Sequence, residues 1–285
     1  MHTWSRISAG FAIGPHDLEL GPAPNERYWR AAGLEHPVLA EGAAYPLIAA
    51  NCTVLAWLAT CPEPMIQTRQ HLRCHRIGQT PLTLRTEGAV IERFERRGRD
   101  YITIRVEVAG TNADSGSSDG PLWTSEVDFT PVATVARPTP PRPTTPRGLS
   151  HEVAGVPSSG GIPPVRGTPL ALHRRELTIT DEHIRQYSRR GNYHSEASTA
   201  EDLGLPGLVA QGTQVCGPAF AMLLNEWGAP CLERGTFDAR FIGMVLGGDT
   251  IAAEVAVHEH GATFTVENLT RGGVSAVGTA TRHED

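Results

Sequence analysis

An α+β fold of two tandem units, each an antiparallel sheet wrapped around one long helix, is what this sequence predicts. Three observations carry that expectation: matched segments at one spacing, one apolar helix per half, and alternating strands after each helix. Leu39-Ala40-Glu41-Gly42 matches Val209-Ala210-Gln211-Gly212, Trp57 matches Trp227, and Gly78-Gln79-Thr80 matches Gly248-Asp249-Thr250, all at an offset of 170 (209 less 39). Three matches at one spacing mark a duplicated unit.

The elements follow in the same order in each half. PLIAANCTVLAWLA (46–59) and PAFAMLLNEW (218–227) read as the two helices. Pro46 and Pro218 suit a first helical turn, and Gly228 suits the end of the second helix. LTLRTEGAVIERF (82–94) and YITIRVEVA (101–109) read as a hairpin turning at 96–100. Ile102, Ile104, Val106 and Val108 give it the period of two of a half-buried strand. TIAAEVAVH (250–258) and TFTVENL (263–269) form the second hairpin around Gly261, and LWTSEVDFTPV and VSAVGTATR close the units. A sheet of this kind buries a long apolar helix by wrapping it. That arrangement is a hot dog, expected here twice as a double hot dog.

Between the units, residues 138–169 hold nine prolines and Gly-rich pieces, a composition that stays extended. The domain division is therefore 1–135, a linker at 136–169, and 170–285. The 285 residues suffice to bury a core, and 40% hydrophobic content excludes a disordered chain. A net charge of −6 argues against nucleic acid as a partner. The sequence has no lysine, which excludes Schiff-base and P-loop lysine chemistry. Five irregularly spaced cysteines do not read as a disulfide framework. The apolar stretch Tyr45–Cys61 falls short of the ~20 residues a membrane span needs, and the N-terminus lacks a signal-peptide pattern. A cytoplasmic location is the expectation, with no membrane partner. His71, Cys74 and His75 have poor geometry for zinc on a strand, so no metal and no cofactor is expected.

The polar stretch before the second helix draws attention. His194 stands ten residues before Gly204, which stands eight before Gly212. With Tyr187 upstream and Gly248-Asp249-Thr250 downstream, this pattern resembles the MaoC-like (R)-specific enoyl-thioester hydratase/dehydratase family in its double hot-dog form. The resemblance implies His194 as general base, Asn192 as a polar group orienting water, and the Gly212 N–H as oxyanion donor. It implies Tyr187, Tyr193, Gln211 and Glu196 as substrate contacts, Gln211 standing where the family has a His. The substrate implied is a 3-hydroxyacyl or 2-enoyl thioester on CoA or an acyl carrier protein.

One departure matters. The family's catalytic Asp, five residues before the His, is replaced by Arg189, which cannot accept a proton. Two further readings stay open beside the hydratase. One is a repurposed cyclase, isomerase or pericyclase in a bacterial, polyketide-type pathway. The other is a non-catalytic acyl-binding module. In the first unit Ala23, ten residues before Gly33, takes the place of the His, so that unit is expected to wall a tunnel. Arg93, Arg96, Arg97 and Arg99, or Arg185, Arg189 and Arg190, are candidates for the phosphate of a carrier arm. The two units can pair within the chain, so a monomer or a homodimer is expected.

Overall fold

The computed structural model describes residues 4–61, 63–111, 120–132, 168–188 and 191–282. The first half opens with β1 (Ala12–Leu20), α1 (Pro22–Ala31) and α2 (Pro37–Ala40), then the central helix α3 (Ala49–Thr60). Strands β2 (Met65–Cys74), β3 (Leu82–Arg96), β4 (Arg99–Thr111) and β5 (Pro121–Pro131) follow. The second half runs β6 (Ala171–Thr178), α4 (Asp181–Tyr187), α5 (Ala197–Asp202), α6 (Gly212–Val215), α7 (Gly217–Trp227) and α8 (Pro230–Arg234). It ends with β7 (Gly235–Phe241), β8 (Thr250–His258), β9 (Gly261–Asn268) and β10 (Val274–Arg282). The predicted 46–59 helix is a 3-10 turn over Pro46–Ile48 continued by α3, and α7 starts one residue before its expected position. Most of the predicted linker, residues 136–167, lies outside the described residues.

The ten strands form one antiparallel sheet in the order β1-β3-β4-β5-β2-β7-β10-β9-β8-β6. The second half repeats the order of the first in reverse, which makes the fold a double hot dog. Trp57 on α3 and Leu224 on α7 are fully buried. α7 is buried throughout Gly217–Leu224 and shows polar residues to solvent only near its end, at Asn225 and Glu226, as a helix enclosed by its own sheet and the other half does.

The halves meet where β2 pairs with β7, Arg69–Arg73 against Thr236–Arg240. This seam keeps a short apolar alternation, with Leu72 opposite Phe237, but puts a polar residue, Gln70, at a core position. On β2, Gln70, Leu72 and Cys74 point to the core while Arg69, His71 and Arg73 point away. The buried Gln70 amide donates to Ser125 Oγ at 3.0 Å, and Ser125 pairs with Thr53 of α3 at 3.0 Å, so the polar residues are satisfied. On the outer face Arg69 reaches Asp238 across the seam at 2.5 and 3.2 Å, and His71 Nδ1 lies 3.2 Å from the same carboxylate. Burial pushes the Asp238 carboxyl up, but the bonds from His71 and Arg69 more than offset this and hold it below its ordinary range. No helix among the described residues is long and apolar enough to cross a membrane.

The halves also touch through their helical layers. A Cβ added at Gly217 would lie 2.1 Å from the Ala32 carbonyl oxygen and 2.7 Å from the Ala32 Cβ. Backbone at that distance cannot swing away. Gly217→Ala is expected to destabilise the chain by about 1–3 kcal/mol through overpacking. A lower denaturant midpoint at unchanged slope checks it; an unchanged midpoint refutes it.

Candidate active site

The site lies in a stretch that only the second half possesses. Tyr28 ends the first turns of α1 as Tyr187 ends α4, and their rings meet edge to face at 5.7 Å. These residues are 159 apart (187 less 28), whereas the segments from Ala40 and Ala210 onward are 170 apart (210 less 40). The second half therefore holds 11 extra residues (170 less 159) between Tyr187 and Ala210. His194 falls in this part. Ala23 is not its counterpart but a first-turn residue of α1, because the offset changes in between.

Local hydrogen bonds shape the loop. Asn192 Oδ1 accepts from the His194 N–H at 2.9 Å, and the Asn192 carbonyl accepts from the Ser195 and Glu196 N–H groups at 2.9 and 2.8 Å. Asn192 thus closes a turn that puts Tyr193 and His194 side by side, with ring centroids 4.0 Å apart. Tyr193 donates its hydroxyl to the Met65 carbonyl of the first half at 3.0 Å.

The imidazole orientation follows from its Nδ1 bond to the Val209 carbonyl at 2.5 Å. A carbonyl only accepts, so Nδ1 carries the proton and the neutral ring has its lone pair on Nε2. Val209 is itself fixed by a bridge to Leu246, and the Ala210 N–H donates to the Val245 carbonyl at 2.9 Å. His194 lines a cavity of about 880 Å³ together with Asn192, Tyr193, Gln211 and Gly212.

Gly212 starts a helical run. Gln211 precedes it in extended conformation, and Cys216 at φ −79°, ψ −5° joins α6 to α7. The helix dipole therefore begins at Gly212 and not at Pro218. The Gly212 N–H belongs to a first turn, which has no preceding helical carbonyl to bind it. A Cβ there would lie 2.5 Å from the Phe241 ring, so the glycine permits the close packing at the cavity wall. Gln211 Nε2 donates to Ser188 Oγ at 2.9 Å.

Two expected contacts are corrected. Tyr187 is fully buried in the core, donates to Thr213 Oγ1 at 3.1 Å, and does not line the cavity. Its partner across the pseudo-repeat, Tyr28, explains this: both serve α1–α4 packing. Glu196 is exposed at the start of α5 and is also absent from the cavity wall, because its side chain leaves the turn toward solvent. Among the arginines, Arg93 is held by Asp100 and by the Trp4 and Ile7 carbonyls, and Arg185 faces Asp181 at 3.6 Å. Arg189 and Arg190 lie outside the described residues. Arg96, Arg97 and Arg99 do line the cavity.

Sequence reasoning missed the carboxylates of the wall, Glu63 and Asp128, both from the first half. Asp128 accepts from Thr103 Oγ1 at 2.8 Å. Burial pushes its carboxyl above the ordinary range, beyond what that bond and Arg69 offset. Nothing in the pattern VDFT singles Asp128 out except its alternation. Among the described residues no cluster of His, Cys, Asp and Glu could hold a metal.

Residues 168–278 match the MaoC-like domain family. No curated protein sequence matches the chain. Its fold is similar to that of a MaoC-like dehydratase from Phytophthora capsici (TM-score 0.69, 15% identity, 98% of this chain and 97% of that one). It is also similar to the full-length peroxisomal multifunctional enzyme type 2 from Drosophila melanogaster (TM-score 0.71, 16% identity), covering 95% of this chain but only 48% of that one. A third similar structure is a Mycobacterium tuberculosis protein essential for survival during infection, with a double hot-dog fold (TM-score 0.60, 14% identity, 98% of each chain). At such identities the structural likeness speaks for the fold, while the family match speaks for the half that bears His194. Residues 168–278 are thus similar to the MaoC-like domain family, and the whole chain has the double hot-dog fold.

Proposed function

We propose that the chain is a hydratase/dehydratase acting on a 3-hydroxyacyl or 2-enoyl thioester. The observation that carries this is the imidazole of His194, set at the cavity wall with its Nδ1–H held by the Val209 carbonyl, which makes Nε2 the basic nitrogen. In hydration, Nε2 takes a proton from water as the oxygen bonds to C3 of the enoyl group. The thioester carbonyl becomes an enolate, whose oxygen the Gly212 N–H holds at the positive end of the helical run. The imidazolium then returns its proton to C2. Starting neutral, one imidazole can serve both steps, so the reaction balances without the family's Asp. Asn192 shapes the loop, while Tyr193 and Gln211 wall the acyl group. Residues 170–285 carry the chemistry, 1–135 close the cavity, and 136–169 join them, in a monomer or homodimer.

Crotonyl-CoA and longer enoyl-CoAs provide the test. Loss of enoyl absorbance is expected for at least one chain length. Folded protein with no turnover on any of them refutes the reading. One observation favours a second possibility, a cyclase, isomerase or pericyclase that works by holding its substrate: Glu196 lies outside the cavity, so it does not replace the missing Asp.

A further inference from the structure

The cavity runs along one face of α3. Asn51, Val54, Leu55 and Leu58, three and four residues apart, all line it, and Leu203 and Leu205 line it from the second half. Asn51 breaks this apolar wall. It is 6% exposed, and its counterpart on α7, at the offset of 170 (221 less 51), is Ala221. Tyr28 of α1, 9% exposed, lines the cavity as well.

Tyr28 and Tyr187 are counterparts with different hydroxyl partners. Tyr187 donates to Thr213 Oγ1 at 3.1 Å. The first-half counterpart of Thr213 is Ala43, at the same offset of 170 (213 less 43), and it has no hydroxyl to offer. Asn51 and Arg27 approach the Tyr28 hydroxyl, but both do so as donors. Burial pushes that hydroxyl's pKa above its ordinary value, beyond what these donors offset, so it keeps its proton. Among the described residues none accepts that proton. The repeat thus loses its tyrosine–threonine bond on the side that faces the cavity and keeps it on the side that does not.

Asn51 ties this hydroxyl to the reacting end of the cavity. Its Nδ2 donates to the Tyr187 carbonyl at 3.2 Å, and the next residue, Ser188, accepts from Gln211 Nε2 at 2.9 Å. Two hydrogen bonds and one residue step join Asn51 to Gln211, a reach of about 11 Å at most. A plain alkyl chain is a poor occupant here, because its methylenes strip water from a hydroxyl and return no hydrogen bond. We propose that Tyr28, flanked by Asn51, donates to an oxygen carried by the acyl chain, so that the preferred substrate is an acyl thioester with a keto or hydroxyl group beyond its reacting carbons. The proposal rests on the thioester reading for the chain to which that oxygen belongs. The first half then reads the substrate as well as closing the cavity.

The test is calorimetric titration of the full chain with decanoyl-CoA and with its 5-keto, 7-keto and 9-keto forms, which are saturated and need no turnover. At least one keto form is expected to bind about threefold to tenfold more tightly than the plain chain, the worth of one neutral hydrogen bond. In Tyr28→Phe, which keeps the ring that packs on Tyr187, that ratio should fall to near one. A preference below about threefold at every keto position, or one that Tyr28→Phe leaves intact, overturns the proposal. The enoyl-CoA assay separates the two readings. Turnover of plain enoyl-CoAs without a keto preference in binding removes the oxygen contact and leaves the hydratase. A Tyr28-dependent keto preference in binding, with no turnover of any enoyl-CoA, plain or keto, removes the hydratase and leaves the contact.

Discussion

Replacing His194 by alanine is expected to lower enoyl-thioester turnover by ~10²–10⁴-fold while the protein stays folded, the range for loss of a general acid–base group. The size follows from the proposed mechanism, in which one imidazole both takes the water proton and delivers it to C2. The stability cost is small by comparison. The ring is only half-buried, with its Nδ1 bond to the Val209 carbonyl at the cavity wall. His194→Gln provides the second variant, because it keeps a side chain in the loop but cannot shuttle a proton. The check is steady-state kinetics on the best enoyl thioester, with far-UV circular dichroism for fold. Both variants should lose kcat with KM nearly unchanged. A variant retaining most of the activity refutes the base assignment and favours a cavity that works by positioning alone.

Much of the fold is legible in the sequence because it rests on local pattern. The two buried helices, both outer hairpins and the closing strands each show an apolar periodicity that solvent exposure dictates. The seam is not legible. Its strands face a polar, hydrogen-bonded contact on the inside, Gln70 with Ser125, and an ion-paired cluster on the outside, Arg69 with Asp238. The apolar alternation there is short, Leu72 opposite Phe237 with Ala239 beyond, and Gln70 interrupts it on the core face. The site is legible in part. His194, Gly212 and Gln211 follow from spacing and line one cavity. Tyr187 fails because a pattern of spacings cannot tell a packing aromatic from a wall residue. A signal was present all the same: Asp17-Leu18 with Glu176-Leu177, and Tyr28 with Tyr187, share the offset 159 (176 less 17). The change from 159 to 170 marks the insertion that holds the His194 loop. Asp128 and the outer-face arginines come together only through strand register, which residue types do not encode.

Asp249→Ala is expected to destabilise the chain severely and to reduce turnover through positioning. Asp249 matches Gln79 in the first half, yet Gln79 is exposed and Asp249 is 1% exposed. Its carboxylate accepts from the Leu246 N–H at 2.9 Å, from Asn268 Nδ2 at 2.9 Å and from Arg271 Nε at 2.8 Å. Truncation strands two buried donors at about 1–3 kcal/mol each, so about 2–6 kcal/mol in all. Leu246 bridges Val209, whose carbonyl orients His194, so the loosened loop reaches the imidazole as a positioning effect. Burial pushes the Asp249 carboxyl up, but the bonds from Leu246, Asn268 and Arg271 more than offset this and hold it below its ordinary range. The sign for acid is then set. Its stabilisation is complete above the unfolded value of about 3.9 and disappears as pH falls through the lower folded value. Asp249→Asn keeps the shape and loses the charge. It should be intermediate in stability near pH 7, and its deficit relative to the parent should shrink as pH falls below about 4. Urea unfolding of parent and both variants from pH 7 down to pH 3 measures this. A deficit that stays constant over that range, or an Asp249→Ala protein as stable as the parent, refutes the role given to this carboxylate.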